Sequence, residues 1–245
     1  MIKKLFLLLF LLLVMSYIVM AVTVLNAKPT NLVCKGVELF ITDSVNYGFI
    51  SKKEVLMLLE RKKISPIGKN MQDINVRQLE KELKTLSLAE NVECYKTCGG
   101  KIGIELKQRV PILRIMSNKG ENYYIDNKGA IMPIIPTPVH VAIVTGDVDQ
   151  HMARKQLYRL GNFLQNNPFW KAQVEQINVT PTKELEIVPL VGEHIIFLGK
   201  AENYEDKFER LKIFYEKALN VVGWNKYDRI SLEFSNQIIC TKKVK

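Results

Sequence analysis

The chain has 245 residues, of which 47% are hydrophobic and 24% are charged. This composition is typical of globular proteins and differs from that of disordered or collagen-like chains, so we expect a packed core. Lysine and arginine exceed aspartate and glutamate by 35 to 25, but no long basic block is present. The excess charge therefore indicates a solvated surface near anionic lipid headgroups, and we expect no nucleic-acid partner.

An uncharged apolar run occupies residues 5–25. As a helix it would be about 31 Å long, close to the roughly 30 Å hydrocarbon thickness of a bilayer. Lys3 and Lys4 precede the run, which places residues 1–4 in the cytoplasm and the rest of the chain outside. The alternative is a cleaved signal peptide, whose apolar region is usually only about 7 to 15 residues long. The sequence predicts a single transmembrane helix.

The first exported segments predict one strand followed by two amphipathic helices. Residues 26–32 form a linker, and residues 33–41 resemble a strand. Ser51 and Glu54 have the spacing of a capping box, which predicts the start of the first helix. Asn75 is the expected N-cap of the second helix.

A β-hairpin is predicted to follow these helices. Its strands are the period-two runs at 92–95 and 102–106, separated by a Cys-Gly-Gly turn. The order strand, helix, helix, strand, strand can bury both helices on one face of a three-stranded sheet.

The remainder of the chain is predicted to be a mixed β domain with flanking helices, which gives an α+β fold overall. A second hairpin is expected at 123–131, with strand-length apolar runs and two amphipathic helices after it. The predicted helices cover 149–166 and 204–222, and the predicted strands cover 170–179, 184–189, 194–198 and 230–239.

No catalytic or cofactor-binding motif is present. The three histidines are distant in sequence, and neither HExxH, GxSxG, a P-loop nor a dinucleotide fingerprint occurs. We therefore expect neither enzymatic activity, nor a cofactor, nor a metal site.

Four cysteines leave one structural question open. Cys34, Cys94, Cys98 and Cys240 could include one accessory disulfide in an oxidising compartment, with Cys94 and Cys98 as the local candidates. Four buried thiols without a disulfide are equally compatible with the sequence.

Two motifs carry a resemblance to a known family. Gln108-Arg109-Val110-Pro111 is followed by Tyr124-Ile125-Asp126-Asn127-Lys128-Gly129-Ala130-Ile131. After a membrane anchor and a strand-helix-helix-strand-strand unit, these motifs resemble the FtsQ/DivIB cell-division family. The family pattern is matched at Arg109, Pro111, Asp126 and Gly129, whereas Gln108 replaces a glutamate.

The resemblance implies a cytoplasmic tail (1–4), a transmembrane helix (5–25), a linker (26–32), a POTRA domain (33–108), a β domain (109–241) and a tail (242–245). It also implies a non-enzymatic divisome scaffold at the septum of the bacterial inner (cytoplasmic) membrane. Such a scaffold binds bitopic division proteins of the FtsB/FtsL type and helps control septal peptidoglycan synthesis. An exported, membrane-anchored POTRA adaptor of the cell envelope outside division is the alternative.

The resemblance further implies that a partner strand adds along the last strand of the β domain. Exposed main-chain groups at a sheet edge can pair with such a strand. Phe234 matches a common aromatic of this strand, whereas Glu233 stands where a basic residue is frequent. The expected partner-binding residues are Ser231, Glu233, Phe234, Ser235, Asn236, Gln237, Ile238 and Ile239.

Overall fold

The computed structural model describes residues 2–25, 32–42, 48–135 and 137–243. Helix α1 comprises Ile2–Leu25, and its side chains are described continuously for 16 residues, 8–23. Among the described residues, none of the helices has the length and apolarity needed to cross a bilayer. The predicted linker lies outside the described residues except for Leu32.

A small α+β unit follows, with the predicted order of elements. Its central strand is β3, which pairs in parallel with β1 and antiparallel with β2, so the sheet order is β1-β3-β2. The predicted first strand is shorter than expected, because Val33 forms only an isolated bridge with Asn70. The elements are β1 (Val37–Ile41), α2 (Lys52–Arg61), α3 (Val76–Leu83), β2 (Ala89–Lys96) and β3 (Ile102–Gln108).

Both helices of this unit begin at the predicted caps. The Ser51 hydroxyl accepts a hydrogen bond from the Glu54 amide at 3.2 Å, and the Glu54 carboxylate accepts one from the Ser51 amide at 2.7 Å. The Asn75 side chain likewise accepts from the Gln78 amide. These contacts satisfy amides that have no partner inside the helix, so the local sequence alone determines where each helix starts.

A nine-stranded mixed sheet forms the larger unit, in the order β12-β11-β10-β9-β8-β7-β4-β5-β6. Its strands are β4 (Pro111–Ser117), β5 (Asn122–Asp126), β6 (Ile131–Met132), β7 (Ala142–Gly146), β8 (Val174–Val179), β9 (Leu185–Pro189), β10 (Ile195–Gly199), β11 (Tyr227–Ser231) and β12 (Ile239–Lys242).

Two long helical segments pack on this sheet, and each contains a π-helical turn. The first consists of α4 (Gln150–Met152), a π turn (Ala153–Leu157) and α5 (Tyr158–Asn166). A short helix, α6 (Pro168–Gln173), comes next. The second consists of α7 (Tyr204–Phe214), a π turn (Tyr215–Leu219) and α8 (Asn220–Val222).

The strand predicted at 170–179 is wrong in its first part, because residues up to Gln173 belong to α6. Asn167 caps this helix by accepting from the Trp170 amide, and Pro168 occupies the first helical position, where a missing amide has no cost. The turn buries the Trp170 ring against Phe208 and Tyr215, with ring centroids 4.7 and 5.9 Å apart. Tertiary burial of one indole thus overrides the strand-like pattern.

The two units are joined with almost no intervening chain. Only Arg109 and Val110 separate β3 from β4. Tyr124, Met132 and Ile135 of the larger unit are buried in the apolar core of the smaller one. The two sheets therefore share part of one core instead of being connected by a flexible linker.

Candidate partner-binding edge

The two edges of the nine-stranded sheet differ in how well they are covered. The β6 edge has two residues and ends at Pro133, which has no amide to donate. Met132 of this edge is fully buried in the core that it shares with the small unit. The β12 edge has no neighbouring strand among the described residues, and Ile239 is 45% exposed on it. Main-chain groups available for pairing with another chain are therefore found at β12.

The strand predicted over 230–239 is wrong as a continuous element. Strand β11 ends at Ser231, residues 232–238 form a connection, and β12 begins at Ile239 and returns antiparallel to β11. Ser235 and Asn236 lie in the turn, and both residue types favour turns because their side chains bond to nearby main chain. The expected partner-binding residues thus belong to a hairpin and the loop that closes it.

Arg210 of α7 holds this loop in place. Its Nη1 donates to the carbonyl oxygens of Phe234 and Gln237 at 2.7 and 3.3 Å. Its Nη2 lies 3.4 Å from the carbonyl oxygen of Leu232. One guanidinium therefore satisfies main-chain acceptors from both halves of the loop, which is a geometry that the planar, five-donor group allows. This role could not be predicted from the sequence, because there Arg210 is one of several charged residues on the polar face of a helix.

Phe234 is presented at the tip of the loop. Its side chain is 45% exposed, although its carbonyl is held by Arg210. Glu233 and Ser235, on either side, line a cleft of about 330 Å³ together with Asp206 and other α7 residues. An exposed aromatic ring on a fixed main chain is the arrangement found at energetically important contacts of protein interfaces.

Lys207 fixes the neighbouring turn from the same helix. Its ammonium donates to the carbonyl oxygens of Leu198 and Lys200 at 2.8 and 3.2 Å. Burial lowers the pKa of Lys207, and the charge of Arg210 lowers it further. Both cations are thus engaged with carbonyl groups at the floor of the cleft.

The side chains of β12 alternate between the two faces of the sheet. Cys240 lies opposite the buried Ile230, and it packs against the main core together with Ile238. Ile239 lies opposite Ser231 on the other face. A strand added to β12 would therefore meet apolar groups on both of its faces.

The question of the disulfide is answered by the structure, in which Cys34, Cys94, Cys98 and Cys240 are free thiols. Cys34 and Cys94 are buried, and Cys98 is exposed. Burial raises the pKa of the Cys240 thiol. Among the described residues, no group of histidine, cysteine or carboxylate side chains could hold a metal ion.

The four motif residues do not lie at the β12 edge but at the junction of the two units, on the opposite side of the sheet. Arg109 Nε donates to Asp126 Oδ2 at 2.8 Å. Its other nitrogens donate to the carbonyl oxygens of Ser87 in the small unit and Ile131 in the large one. Asp126 Oδ1 accepts from the amides of Lys128 and Ala130. The pair therefore ties the small unit, β5 and the β5–β6 turn together.

Pro111 and Gly129 make their contacts within the large unit, beside the junction. Pro111 opens β4 opposite Asp126. Gly129 has a φ of +77°, and a Cβ there would lie 3.2 Å from the Tyr158 ring and 3.3 Å from the Arg154 carbonyl oxygen. The position therefore favours glycine both for its backbone conformation and for its closeness to the helix. The contacts of the motif are therefore structural: Arg109 links the two units, and the other three residues pack within the large one.

A family model described as "FtsQ/DivIB, C-terminal related" matches residues 110–241, which is more than half of the chain. The chain belongs to the FtsQ/DivIB family. A second model, for a POTRA-like domain, matches residues 32–107, and no curated protein matches the chain. The small unit is thus POTRA-like, and the nine-stranded unit is the FtsQ/DivIB-related domain.

Membership of the FtsQ/DivIB family makes the chain a division-associated POTRA protein. Proteins of both matched types are generally non-catalytic scaffolds. The family is associated with the membrane at the division site and interacts with divisome proteins.

Proposed function

We propose that this FtsQ/DivIB protein is a divisome scaffold whose β12 edge captures a strand of an FtsB/FtsL-type bitopic division protein. The observation that carries the proposal is the contrast between the covered β6 edge and the uncovered β12 edge. An added strand would pair with the free main-chain groups of β12, and Phe234 would contact its side chains. The other loop residues would lie beside this contact: Glu233, Ser235, Asn236, Gln237 and Ile238.

Helix α1 is proposed to anchor the scaffold as a single transmembrane span. The uncharged run at 5–25 supports this, and so do the exposed apolar side chains along α1: Phe10, Leu13 and Met20 are each more than 60% exposed. A contiguous apolar surface of this kind is unfavourable in water and favourable in lipid. Residues 1–4 would then be cytoplasmic, and the POTRA-like (33–108) and β (109–241) domains would lie outside the cytoplasm.

In this arrangement the chain would be a scaffold and would not itself catalyse a reaction. By holding partner proteins at the septum of the inner membrane, it would help control septal peptidoglycan synthesis. The strand-adding edge lies on the unit farther along the chain from the anchor, so its partner would also be exported.

The test is depletion of the protein combined with capture of its partners. Depleted cells should form undivided filaments, and a fluorescent fusion should gather at midcell. The full-length protein, purified in detergent, should retain the FtsB-type protein of the same genome, whereas Phe234→Ala should retain much less. Normal division after depletion, with an evenly distributed fusion, would contradict the division role.

Anchoring is tested separately with reporter fusions. A reporter active only outside the cytoplasm should work when it is fused after Lys243. Activity of a cytoplasm-only reporter at the same position would contradict the proposed topology without affecting the edge.

A further inference from the structure

The helical segment 150–166 presents an exposed basic surface. Arg154, Lys155 and Arg159 are exposed along it, and the segment contains no aspartate or glutamate. The acidic residue nearest to it in sequence is the N-cap, Asp149. Its carboxylate accepts a hydrogen bond from the Met152 amide at 2.8 Å. The lysine and arginine side chains of the segment therefore have no acidic neighbour within it, and they lie in its first ten residues.

This basic surface forms one wall of a groove. The other wall is the tip of the β5–β6 hairpin at Lys128 and Gly129, and the groove has a volume of about 510 Å³. The Tyr158 hydroxyl donates to the Asn127 carbonyl at 3.2 Å, which fixes the hairpin against the helix. We call this feature, lined by Lys128, Gly129, Gln150, His151, Arg154 and Lys155, the basic groove.

The charges of the basic groove are only partly compensated within the protein. Lys128 is paired with Glu90 at 2.7 Å, and the Gln150 amide donates to Glu121. Arg154 and Lys155 form no ion pair with any residue that the structure describes. The Arg154 guanidinium and the Lys155 ammonium thus remain available to an anionic partner.

Arg154 and Lys155 both lie in the π-helical turn of this segment. It spans Ala153–Leu157, and the three consecutive residues Arg154, Lys155 and Gln156 are all exposed within it. Inserted residues of this kind are rare in helices and occur frequently at functional sites. Ala153 and Leu157, at the two ends of the turn, are buried in the core, so the exposed residues between them face solvent.

We propose that the basic groove binds an acidic polypeptide segment of an exported partner protein. An anionic membrane surface is the other polyanion to consider, and the position of the groove argues against it. The chain enters the POTRA-like unit near Gly100, whose carbonyl oxygen accepts from the Lys35 amide, whereas the groove lies beside Glu90 at the far end of the small sheet. The seven residues of β3 separate these ends by about 23 Å, more than two Debye lengths at physiological salt.

The test uses a fluorescein-labelled synthetic peptide of alternating glutamate and serine, with a glutamine-for-glutamate peptide as the uncharged probe. Binding to the full-length protein is measured by anisotropy at low ionic strength. Arg154→Gln combined with Lys155→Gln should weaken binding of the acidic peptide about fivefold, because exposed ion pairs contribute little individually. Lys52→Gln with Lys53→Gln is the matched control: it removes two adjacent exposed cations from another helix, and it should leave binding nearly unchanged.

The outcomes separate the alternatives. Equal weakening by both double variants would show a general charge effect and overturn the proposal, as would equal binding of the uncharged peptide. Retention by phosphatidylglycerol vesicles that depends on Arg154 and Lys155, without binding of the acidic peptide, would assign the groove to a membrane instead. Because Phe234 lies at the β12 edge, Phe234→Ala should leave acidic-peptide binding unchanged, so failure here does not affect the proposed scaffold function.

Discussion

Arg210 Nη1 lies 2.7 Å from the carbonyl oxygen of Phe234, so the backbone of the one aromatic residue in the loop 232–238 is held by a residue of another element. The contact joins α7 to the β11–β12 hairpin. It makes the position of the candidate edge depend on a helix that need not touch the partner.

Replacing Arg210 tests this dependence. Arg210→Ala removes the donors to three loop carbonyls, so amides of residues 232–238 should exchange hydrogen faster and partner affinity should fall about tenfold. Arg210→Lys, which offers one compact donor group, should give an intermediate effect. Lys217→Ala, on the exposed face of the following π turn, should change neither measurement. Unchanged exchange in Arg210→Ala would exclude a positioning role.

Phe234 is expected to contribute directly to binding. Phe234→Ala should cost about 2 kcal/mol of partner affinity, roughly thirtyfold, while the thermal unfolding temperature stays within a degree or two because the ring is 45% exposed. Val221→Ala is the comparison, since this apolar residue is 81% exposed and belongs to α8, outside the β11–β12 hairpin. Isothermal titration with the exported part of the FtsB-type protein measures both. Equal affinities of the two variants would rule out Phe234 as an anchor.

Proline substitutions in β12 test main-chain pairing. In an antiparallel edge strand, the amides of successive residues point alternately to the neighbouring strand and to the open side of the sheet. Of Cys240→Pro and Thr241→Pro, one should therefore unfold the hairpin and the other should leave the unfolding temperature nearly intact yet abolish partner capture. The Asn236 and Gln237 positions, which a continuous strand would have favoured for this test, lie in the loop, so a proline there does not test pairing along β12. If the better-folded β12 variant binds normally, strand addition is not the mechanism.

The Arg109–Asp126 pair is expected to stabilise the domain junction. The side chains are only 15% and 4% exposed, and Asp126→Asn leaves the guanidinium without its carboxylate, so the free energy of unfolding should fall by about 3 kcal/mol. The exposed pair of Lys101 and Glu38 is the control, since Lys101→Ala should cost less than about 1 kcal/mol. Urea denaturation measures both variants. A similar small loss in each would contradict a structural role for the pair.

His194 should make stability depend on pH. Its ring is 1% exposed and Nε2 lies 2.9 Å from the Tyr215 hydroxyl, and burial lowers the pKa of the imidazole. The unfolded chain therefore binds a proton at His194 more readily than the folded one. The contribution of this residue to the free energy of unfolding is fully present above a pH of about 6.5 and falls as the pH drops below that value. His194→Gln should flatten this part of the stability profile, whereas His151→Gln, at an exposed position, should not. Parallel profiles for all three proteins would exclude His194 as the cause.

Local patterns predicted much of this fold. Three elements could be predicted because each depends on residues close together in sequence: the Ser51–Glu54 capping box, the Asn75 cap and the 92–106 hairpin. The β12 hairpin was missed for the opposite reason: the alternation of Ile230, Leu232 and Phe234 is compatible with a straight strand. What bends the chain after Leu232 is a set of long-range contacts to Phe197 and Arg210.

The residues expected to bind a partner were assigned to one continuous strand, and that secondary structure is wrong for residues 232–238. The resemblance located Phe234 and its neighbours, and the structure places them in a loop beside the edge strand instead of within it. The basic groove had no motif to indicate it, because its two walls, at Lys128 and Arg154, come from elements that meet only in the folded chain.

The two-residue connection between the sheets has a mechanical consequence. Because Tyr124, Met132 and Ile135 are buried in the core of the POTRA-like unit, the two units cannot turn against each other without exposing that core to water. A tilt of the POTRA-like unit would therefore displace the whole β12 edge with it. The distance from the POTRA-like unit to a partner strand held at β12 would then be a fixed length of the molecule, with the Arg109–Asp126 pair at its junction.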